Sequence, residues 1–152
     1  MNRPLVPPGS GNFRVYTPDA LAQDIVDHFA DQFKANDSFL DPCRGGGAFT
    51  RAIKRASGIT PDWCEIDQGR DFLSDQWPQN NHYDWIITNP PYGRPILLKF
   101  LKRSFSLADN VIFLMQAAMP EWTAKQRAAD AAGFDVCETY RVAAPNYGAQ
   151  RN

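Results

Sequence analysis

The segment Asn89-Pro90-Pro91-Tyr92 combines residue types that can bind a planar amino group. Two consecutive prolines fix the backbone and remove two N–H donors, so the carbonyl groups of the turn point in fixed directions. The side-chain oxygen of Asn89 and the backbone carbonyl of Pro90 can then both accept hydrogen bonds from one NH₂ group. Tyr92 supplies a ring that can stack on the heterocycle or amide carrying that group. The segment therefore predicts an acceptor site for an amine.

A second segment, Asp41 to Phe49, carries three consecutive glycines before an apolar stretch. Glycines let a ligand approach the backbone, and a helix that begins after them turns free N–H groups toward that ligand. The segment does not match the dinucleotide-binding pattern, because Thr50 stands where the last glycine would be, and it lacks the Gly-Lys-Ser/Thr of a phosphate-binding loop. Asp41 would repel a phosphate and attract an ammonium or sulfonium group. A nucleotide-like ligand with a cationic group is predicted.

Acidic residues follow the next predicted strand. Glu65 and Asp67 stand at its end, where a carboxylate can accept hydrogen bonds from both ribose hydroxyls of an adenosine ligand. Asp71 can pair with an adenine amino group, and Phe72 can contact the adenine ring. Taken singly, each of these residues is also typical of a solvated turn. The prediction of an adenosine site therefore depends on their order along the chain.

The pattern of apolar residues predicts the fold that positions these segments. Short strands alternate with helices, which predicts a mostly parallel sheet with helices on both faces and ligands at the carboxyl ends of the strands. Thr17 is expected to cap the first helix, with Pro18 at its first position. The predicted helices cover residues 18–33, 48–56, 96–107 and 120–132, and the predicted strands cover 38–41, 63–67, 85–88, 111–115 and 134–142.

The composition is that of one soluble domain: 152 residues, 43% hydrophobic and 22% charged. A net charge of -1 excludes a polycation that coats nucleic acid. No apolar run approaches the ~20 residues of a membrane span, and the first residues lack the apolar region of a signal peptide, so a cytoplasmic protein is expected. The three cysteines fit neither a disulfide framework nor a zinc site, and no metal is expected. Residues 1–12 are predicted to form a flexible N-terminal arm and residues 13–152 a single domain.

Taken together, these motifs resemble the S-adenosylmethionine-dependent amino-methyltransferases, and in particular the DNA adenine-N6 methyltransferases of the gamma motif order, in which the cofactor segment precedes an Asn-Pro-Pro-Tyr tetrapeptide. The resemblance covers roughly residues 13–116. It rests on Tyr16-Thr17-Pro18, Asp41 to Phe49, Cys64 to Asp67, Asp71 to Leu73, and Asn89 to Tyr92.

The resemblance implies a Rossmann-like class I methyltransferase fold, here with the C-terminal end of the sheet shortened. It implies methyl transfer from S-adenosylmethionine to the N6 amine of adenine in DNA. Because the chain leaves little length for a separate recognition domain, low sequence specificity is expected.

The resemblance also assigns residues to roles. The catalytic residues would be Asn89, Pro90, Pro91 and Tyr92. The methionine part of the cofactor would be held by Tyr16, Thr17, Pro18, Asp41, Pro42, Gly45 and Gly47, its ribose by Glu65 with Asp67 beside it, and its adenine by Asp71 and Phe72. DNA phosphates would be contacted by Arg94 and Lys99, from a basic stretch that also contains Lys102 and Arg103. The same charges would also suit the solvated face of a helix.

Three alternatives remain open. Adenine in structured RNA and the side chain of protein glutamine present the same planar NH₂ group, and the same tetrapeptide serves them in related families. The third alternative is a non-catalytic module that keeps the methyltransferase fold and binds only cofactor or a partner protein. Oligomeric state is not indicated by the sequence.

Overall fold

The computed structural model describes residues 16–93, 95–115 and 122–143. The predicted arm at residues 1–12 and the predicted DNA contact Arg94 lie outside these residues. The helices are α1 (Asp19–Phe29), α2 (Ala48–Ser57), α3 (Ile96–Leu107) and α4 (Trp122–Ala131), and the strands are β1 (Phe39–Asp41), β2 (Asp62–Trp63), β3 (Tyr83–Thr88) and β4 (Ala108–Phe113). None of the helices in the described part is long and apolar enough to cross a membrane.

The four strands form one sheet in the order β2-β1-β3-β4, and every neighbouring pair is parallel. The register places Leu40 of β1 beside Ile86 of β3, and Thr88 of β3 beside Phe113 of β4. The predicted α/β class with a parallel sheet is confirmed. Because the strands are parallel, the segments that follow β1 and β3 meet at one edge of the sheet.

Helices pack on both faces of the sheet, as predicted. On one face α1 lies against α2, and their buried residues Val26, Phe49 and Ile53 form a core with Ile87. On the other face Phe100 of α3 packs with residues of the segment between β2 and β3. That segment contains a short 3₁₀ turn, Ile66–Gln68, where a longer crossover helix is common in such folds.

The ends of α1 and α2 follow from local chemistry. Gly58 ends α2 in a left-handed conformation with φ of 75°, as its position predicted. The predicted cap of α1 is wrong, because Pro18 occupies the cap position with extended backbone and supplies no side-chain hydrogen bond. Thr17 instead places its hydroxyl against Asn89.

Two predicted strands differ from the structure. The strand expected at 63–67 is limited to Asp62–Trp63, because the Glu65 carboxylate accepts a hydrogen bond from the Asp67 backbone and starts a 3₁₀ turn. The segment 134–142 forms no strand. It runs across α1, where the Tyr140 ring stacks on His28 at 3.8 Å. Among the described residues, β4 is therefore an edge strand.

The connection between α1 and β1 is fastened to the sheet by Asp37. This buried carboxylate accepts a hydrogen bond from the Trp85 indole at 2.8 Å and another from the Lys34 backbone at 2.8 Å. Substitution would leave the buried indole N–H without its acceptor, which costs more than the hydrogen bond itself.

We therefore expect Asp37→Ala to lower the free energy of unfolding by about 1–3 kcal/mol. The exposed Asp31, on the same connection, provides a matched control, because Asp31→Ala should stay within about 0.5 kcal/mol of the parent. Urea titrations of the three proteins measure the difference. Equal losses in both variants would show that the Trp85 contact does not stabilise the fold.

Candidate functional site

The described residues enclose an open cavity of about 2280 Å³ that includes the carboxyl edge of the sheet. Its wall brings together most of the residues that the sequence singled out: Tyr16, Thr17, Pro42, Gly45, Glu65, Asp71, Phe72, Asn89, Pro90, Pro91 and Tyr92. Five predicted residues of the described part are not in this wall: Pro18, Asp41, Gly47, Asp67 and Lys99. Asp67 lines a smaller adjoining pocket of about 480 Å³ together with Tyr16, Gly45, Glu65 and Gln68.

The glycine turn lies directly beneath Tyr16. A Cβ atom added at Gly45 or at Gly46 would lie 3.2 Å from the ring, so the ring packs on bare backbone. The separate segments Tyr16-Thr17-Pro18 and Gly45-Gly46-Gly47 therefore form one wall. A side chain at either glycine would require the Tyr16 ring to move by a few tenths of an ångström.

Gly47 has a structural function at the start of α2, and its contact with the cofactor stays a prediction. Its φ of 86° is left-handed, and a Cβ atom there would lie 2.9 Å from a guanidinium nitrogen of Arg51. Arg51 in turn donates to the carbonyl of Gly46 and to Asp19. Gly47 is thus needed for the start of α2 and for the position of Arg51, and it does not face the cavity.

Asp41 is enclosed in the protein and is only 1% exposed. Its Oδ1 accepts hydrogen bonds from the Thr88 hydroxyl at 2.7 Å and from the Cys43 backbone at 3.3 Å, while its Oδ2 has no hydrogen-bond partner among the described residues. Burial raises the pKa of this carboxyl to about 7, against the opposing effects of those two hydrogen bonds and of Arg44. The expectation that Asp41 presents its charge to a cationic ligand is therefore not met in this conformation.

Glu65 connects the turns that follow β1 and β2. The side chain is 6% exposed, and Oε2 accepts a hydrogen bond from the Gly45 backbone at 2.7 Å. Oε1 accepts from the Asp67 backbone at 3.3 Å. The predicted ribose acid thus already holds the glycine turn in place, a function that its sequence position did not reveal.

Asp71 and Phe72 are neighbours in the sequence but differ in burial and in their partners. Asp71 is half-buried and its Oδ1 accepts a hydrogen bond from the Leu73 backbone at 2.9 Å. Phe72 is 2% exposed and its ring packs against Phe100 at 5.0 Å. The Phe72 ring packs in a core cluster and also lines the large cavity, so its contact with the cofactor adenine stays a prediction.

The tetrapeptide follows β3 directly, because β3 ends at Thr88 and the tetrapeptide begins at Asn89. The Asn89 amide is held at both ends: Nδ2 donates to the Thr17 hydroxyl at 3.0 Å, and Oδ1 accepts from the Tyr92 hydroxyl at 2.7 Å. The Tyr92 hydroxyl also lies 2.9 Å from the Leu114 carbonyl, so one phenolic proton serves two acceptors. Tyr92 is 38% exposed, so its ring can be reached from outside the protein.

Three basic residues that follow the tetrapeptide lie on α3 in different environments. Lys99 and Lys102 are exposed, whereas Arg103 donates to the carbonyls of Ser74 and Trp77, at 3.0 Å each. Arg103 thus fastens the loop that precedes β3 and is not available to a phosphate in this conformation. Lys99 stays a candidate for such a contact.

Sequence reasoning missed a stack of cationic and aromatic side chains. The Arg70 guanidinium lies 3.7 Å from the Trp63 ring centroid and 4.6 Å from that of Trp77, and Arg44 lies 4.6 Å from Trp63. Such contacts are attractive because the ring face is electron-rich. The stack holds the turn that carries Glu65 against β2, and its members share no spacing that would reveal it in the sequence.

His82, Asp84 and Asp109 form a group whose potential ligand atoms lie within 4.8 Å of one another. Two of the three are exposed, and Asp84 already accepts hydrogen bonds from the Ser38 backbone and hydroxyl. Because exposed carboxylates often cluster without an ion, we assign no metal to this group.

Comparison with known proteins gives one relevant relationship. The chain is 30% identical over 122 residues to the type II methyltransferase M.VspI of Vibrio sp. (strain 343), an alignment that covers 63% of this chain and 28% of that protein. This is distant, partial homology to a methyltransferase. No family model matches the sequence, and no solved structure matches it significantly. Since the chain spans about 28% of this relative's length, the activity of the whole relative does not transfer by the match alone.

The buried Asp41 makes stability depend on pH. Its pKa is raised from 3.8 to about 7, so between these values the folded state keeps a proton that the unfolded state releases. Stability from this group is therefore present at low pH and is lost as the pH rises toward 7. Asp41→Asn keeps the shape and cannot ionise.

We expect Asp41→Asn to gain stability relative to the parent protein by about 2 kcal/mol when the pH is raised from 5 to 7. Denaturant titrations at both pH values measure this relative change. Parallel pH profiles for the two proteins would show that Asp41 does not titrate in this range.

Proposed function

We propose that the protein transfers a methyl group from S-adenosylmethionine to the exocyclic N6 amine of adenine in DNA, with low sequence specificity. The observation that carries the proposal is that the Asn89 to Tyr92 turn, the glycine turn and Glu65 lie together at the carboxyl edge of a parallel sheet. Asn89 bonds to Thr17, the neighbouring Tyr16 ring packs on the glycine turn, and Glu65 bonds to the backbone of that turn. The partial homology to a type II methyltransferase supports the same reaction class.

The cofactor would lie on the wall formed by Tyr16 and the glycine turn. The Tyr16 ring packs on the backbone of Gly45 and Gly46, so the methionine part of the cofactor would lie against those parts of the ring and of the turn that line the cavity. The smaller pocket beside Glu65, Asp67 and Gln68 suits a ribose, because carboxylate oxygens accept hydrogen bonds from hydroxyls. When bound, the cofactor supplies a methyl group made electrophilic by the adjacent sulfonium.

The protein's own contribution is to hold and activate the amine. The lone pair of an exocyclic adenine amine is delocalised into the ring, which makes it a poor nucleophile. Hydrogen bonds from its two N–H groups to Asn89 Oδ1 and the Pro90 carbonyl would localise the pair and offset the positive charge that develops during transfer. Holding amine and methyl group in line supplies the remaining part of the rate enhancement.

An adenine within a duplex cannot reach this cavity unless it leaves the base stack. The Tyr92 ring, which is 38% exposed, would stack on the extruded base. Lys99, exposed on α3, would contact a phosphate. Contacts of this kind read no sequence, which is the basis for proposing low specificity.

The proposed substrate is tested with tritiated S-adenosylmethionine and separate samples of duplex DNA, single-stranded DNA, RNA and protein extract, followed by digestion and identification of the labelled base or residue. N6-methyladenine from DNA, found at adenines in many sequence contexts, is the expected product. Label confined to RNA adenine or to protein glutamine would assign the reaction to another amine. Cofactor binding with no labelled product would indicate a binding module.

Asn89→Ala is expected to reduce methyl transfer by about 10²–10³-fold, because one electrostatic contact to the reacting amine is lost. Cofactor affinity, measured by calorimetry, should stay unchanged. Asn80→Ala is a matched control, since Asn80 is exposed, donates to the Asp62 carboxylate and does not line the cavity. A rate for Asn89→Ala within a few-fold of the parent would exclude the proposed activation.

Gly46→Ala tests the cofactor wall without imposing a left-handed conformation on alanine, because Gly46 is not among the glycines with positive φ. The added methyl group would lie 3.2 Å from Tyr16 and displace its ring, so we expect cofactor affinity to fall by about tenfold, the equivalent of 1.4 kcal/mol. Gly58→Ala, at the other end of α2 with no atom within 4 Å of its Cβ, controls for lost stability. Equal affinities for both variants would place the cofactor elsewhere.

A further inference from the structure

Thr17 and Asn89 are 72 residues apart in the sequence and in contact in the structure. The Asn89 Nδ2 donates to the Thr17 Oγ1 at 3.0 Å, and both residues line the large cavity. Sequence reasoning placed Thr17 at the methionine part of the cofactor and as the cap of α1. The structure gives its hydroxyl a different partner.

The position of Thr17 is stiff for a local reason. A residue before proline is restricted to extended backbone, and Pro18 itself has φ of -60° and ψ of 141°. The helix that follows has no side-chain cap, so the Thr17 hydroxyl does not bond to the first turn of α1. It is therefore held at a fixed place beside the tetrapeptide.

The contact with Thr17 matters for Asn89 because the two ends of an amide group differ in chemistry. One end accepts hydrogen bonds and the other donates two. With Nδ2 bonded to Thr17, the Oδ1 end is turned toward Tyr92, whose hydroxyl it accepts at 2.7 Å. Rotation of the amide by half a turn would present N–H donors where an incoming amine also presents N–H donors, which would remove the acceptor.

We propose that Thr17 is a positioning residue for Asn89, which accepts a hydrogen bond from Nδ2 and holds the amide group in place beside the target amine, rather than a contact to the cofactor. This inference rests on the proposed function, because it assigns Thr17 to the same methyl-transfer step. It also explains why a threonine that precedes α1 lies beside the end of β3.

The test compares Thr17→Val, which keeps the shape and loses the hydroxyl, with Thr17→Ser, which keeps the hydroxyl. We expect Thr17→Val to lower kcat for methyl transfer on the order of tenfold, the size typical of one lost hydrogen bond. Cofactor affinity should stay within twofold of the parent, and Thr17→Ser should retain most of the activity. A Thr17→Val variant with unchanged kcat, or with weakened cofactor binding that accounts for its loss, would overturn the proposal.

A double-mutant cycle separates positioning from an independent role. If Thr17 acts through Asn89, adding Thr17→Val to Asn89→Ala changes the methyl-transfer rate no further. If Thr17 acts on the cofactor, the two losses multiply, and that result contradicts the proposal.

One readout does not depend on activity. The side-chain NH₂ signals of Asn89 in the free protein, assigned by their absence in Asn89→Ala, should shift in Thr17→Val and stay near the parent positions in Thr17→Ser. Unchanged signals in Thr17→Val would overturn the contact itself. If the parent protein transfers no methyl group to any substrate tested, the proposed function fails, while these signals still decide whether Thr17 holds Asn89.

Discussion

The buried hydrogen bond from Thr88 to Asp41 joins the two strands on which the site depends. Thr88 is fully buried at the end of β3 and Asp41 is 1% exposed at the end of β1. At 2.7 Å this bond fixes the distance between the start of the glycine turn and the start of the tetrapeptide. A buried, hydrogen-bonded polar pair of this kind is costly to disrupt, because either partner alone would be left unsatisfied. The glycine turn and the tetrapeptide are therefore held as one unit.

Glu65 connects this unit to the turn that follows β2. Within the described part of the chain, Asp41 has one oxygen without a partner, whereas both oxygens of Glu65 accept backbone hydrogen bonds, from Gly45 and from Asp67. The stack of Trp63 with Arg70 holds the far side of the same turn. The ends of β1, β2 and β3 are thus connected by side-chain contacts as well as by the sheet.

The sequence predicts best where the signal is local. The bounds of α3 and the glycine end of α2 follow from helical spacing and from Gly58, and both are confirmed. The segment 134–142 has alternating apolar residues that also suit a strand, but its partner is the surface of α1 rather than a neighbouring strand, and periodicity does not specify the partner.

The same limit applies to the site. Residue types placed Asn89, Glu65 and the glycine turn at one edge of the sheet, which the structure bears out. They did not reveal that Asp41 faces Thr88 or that Phe72 faces Phe100, because an acid beside a glycine turn and an aromatic beside an acid can each point either way. These two contacts join residues that are far apart in the chain, so no periodic spacing in the sequence could predict them.

The hydroxyl of Tyr92 decides how an amine could enter. It is bonded to the same Asn89 oxygen that would accept the amine, and it has a second acceptor, the Leu114 carbonyl, at 2.9 Å. Since a hydroxyl carries a single proton, it can satisfy only one of these two acceptors well at a time. Transfer of that proton contact to Leu114 would free Asn89 Oδ1 without leaving the phenol unpaired. Under the proposed function, the ring would keep its place beside the tetrapeptide while the amide oxygen changes its partner from the phenol to the amine.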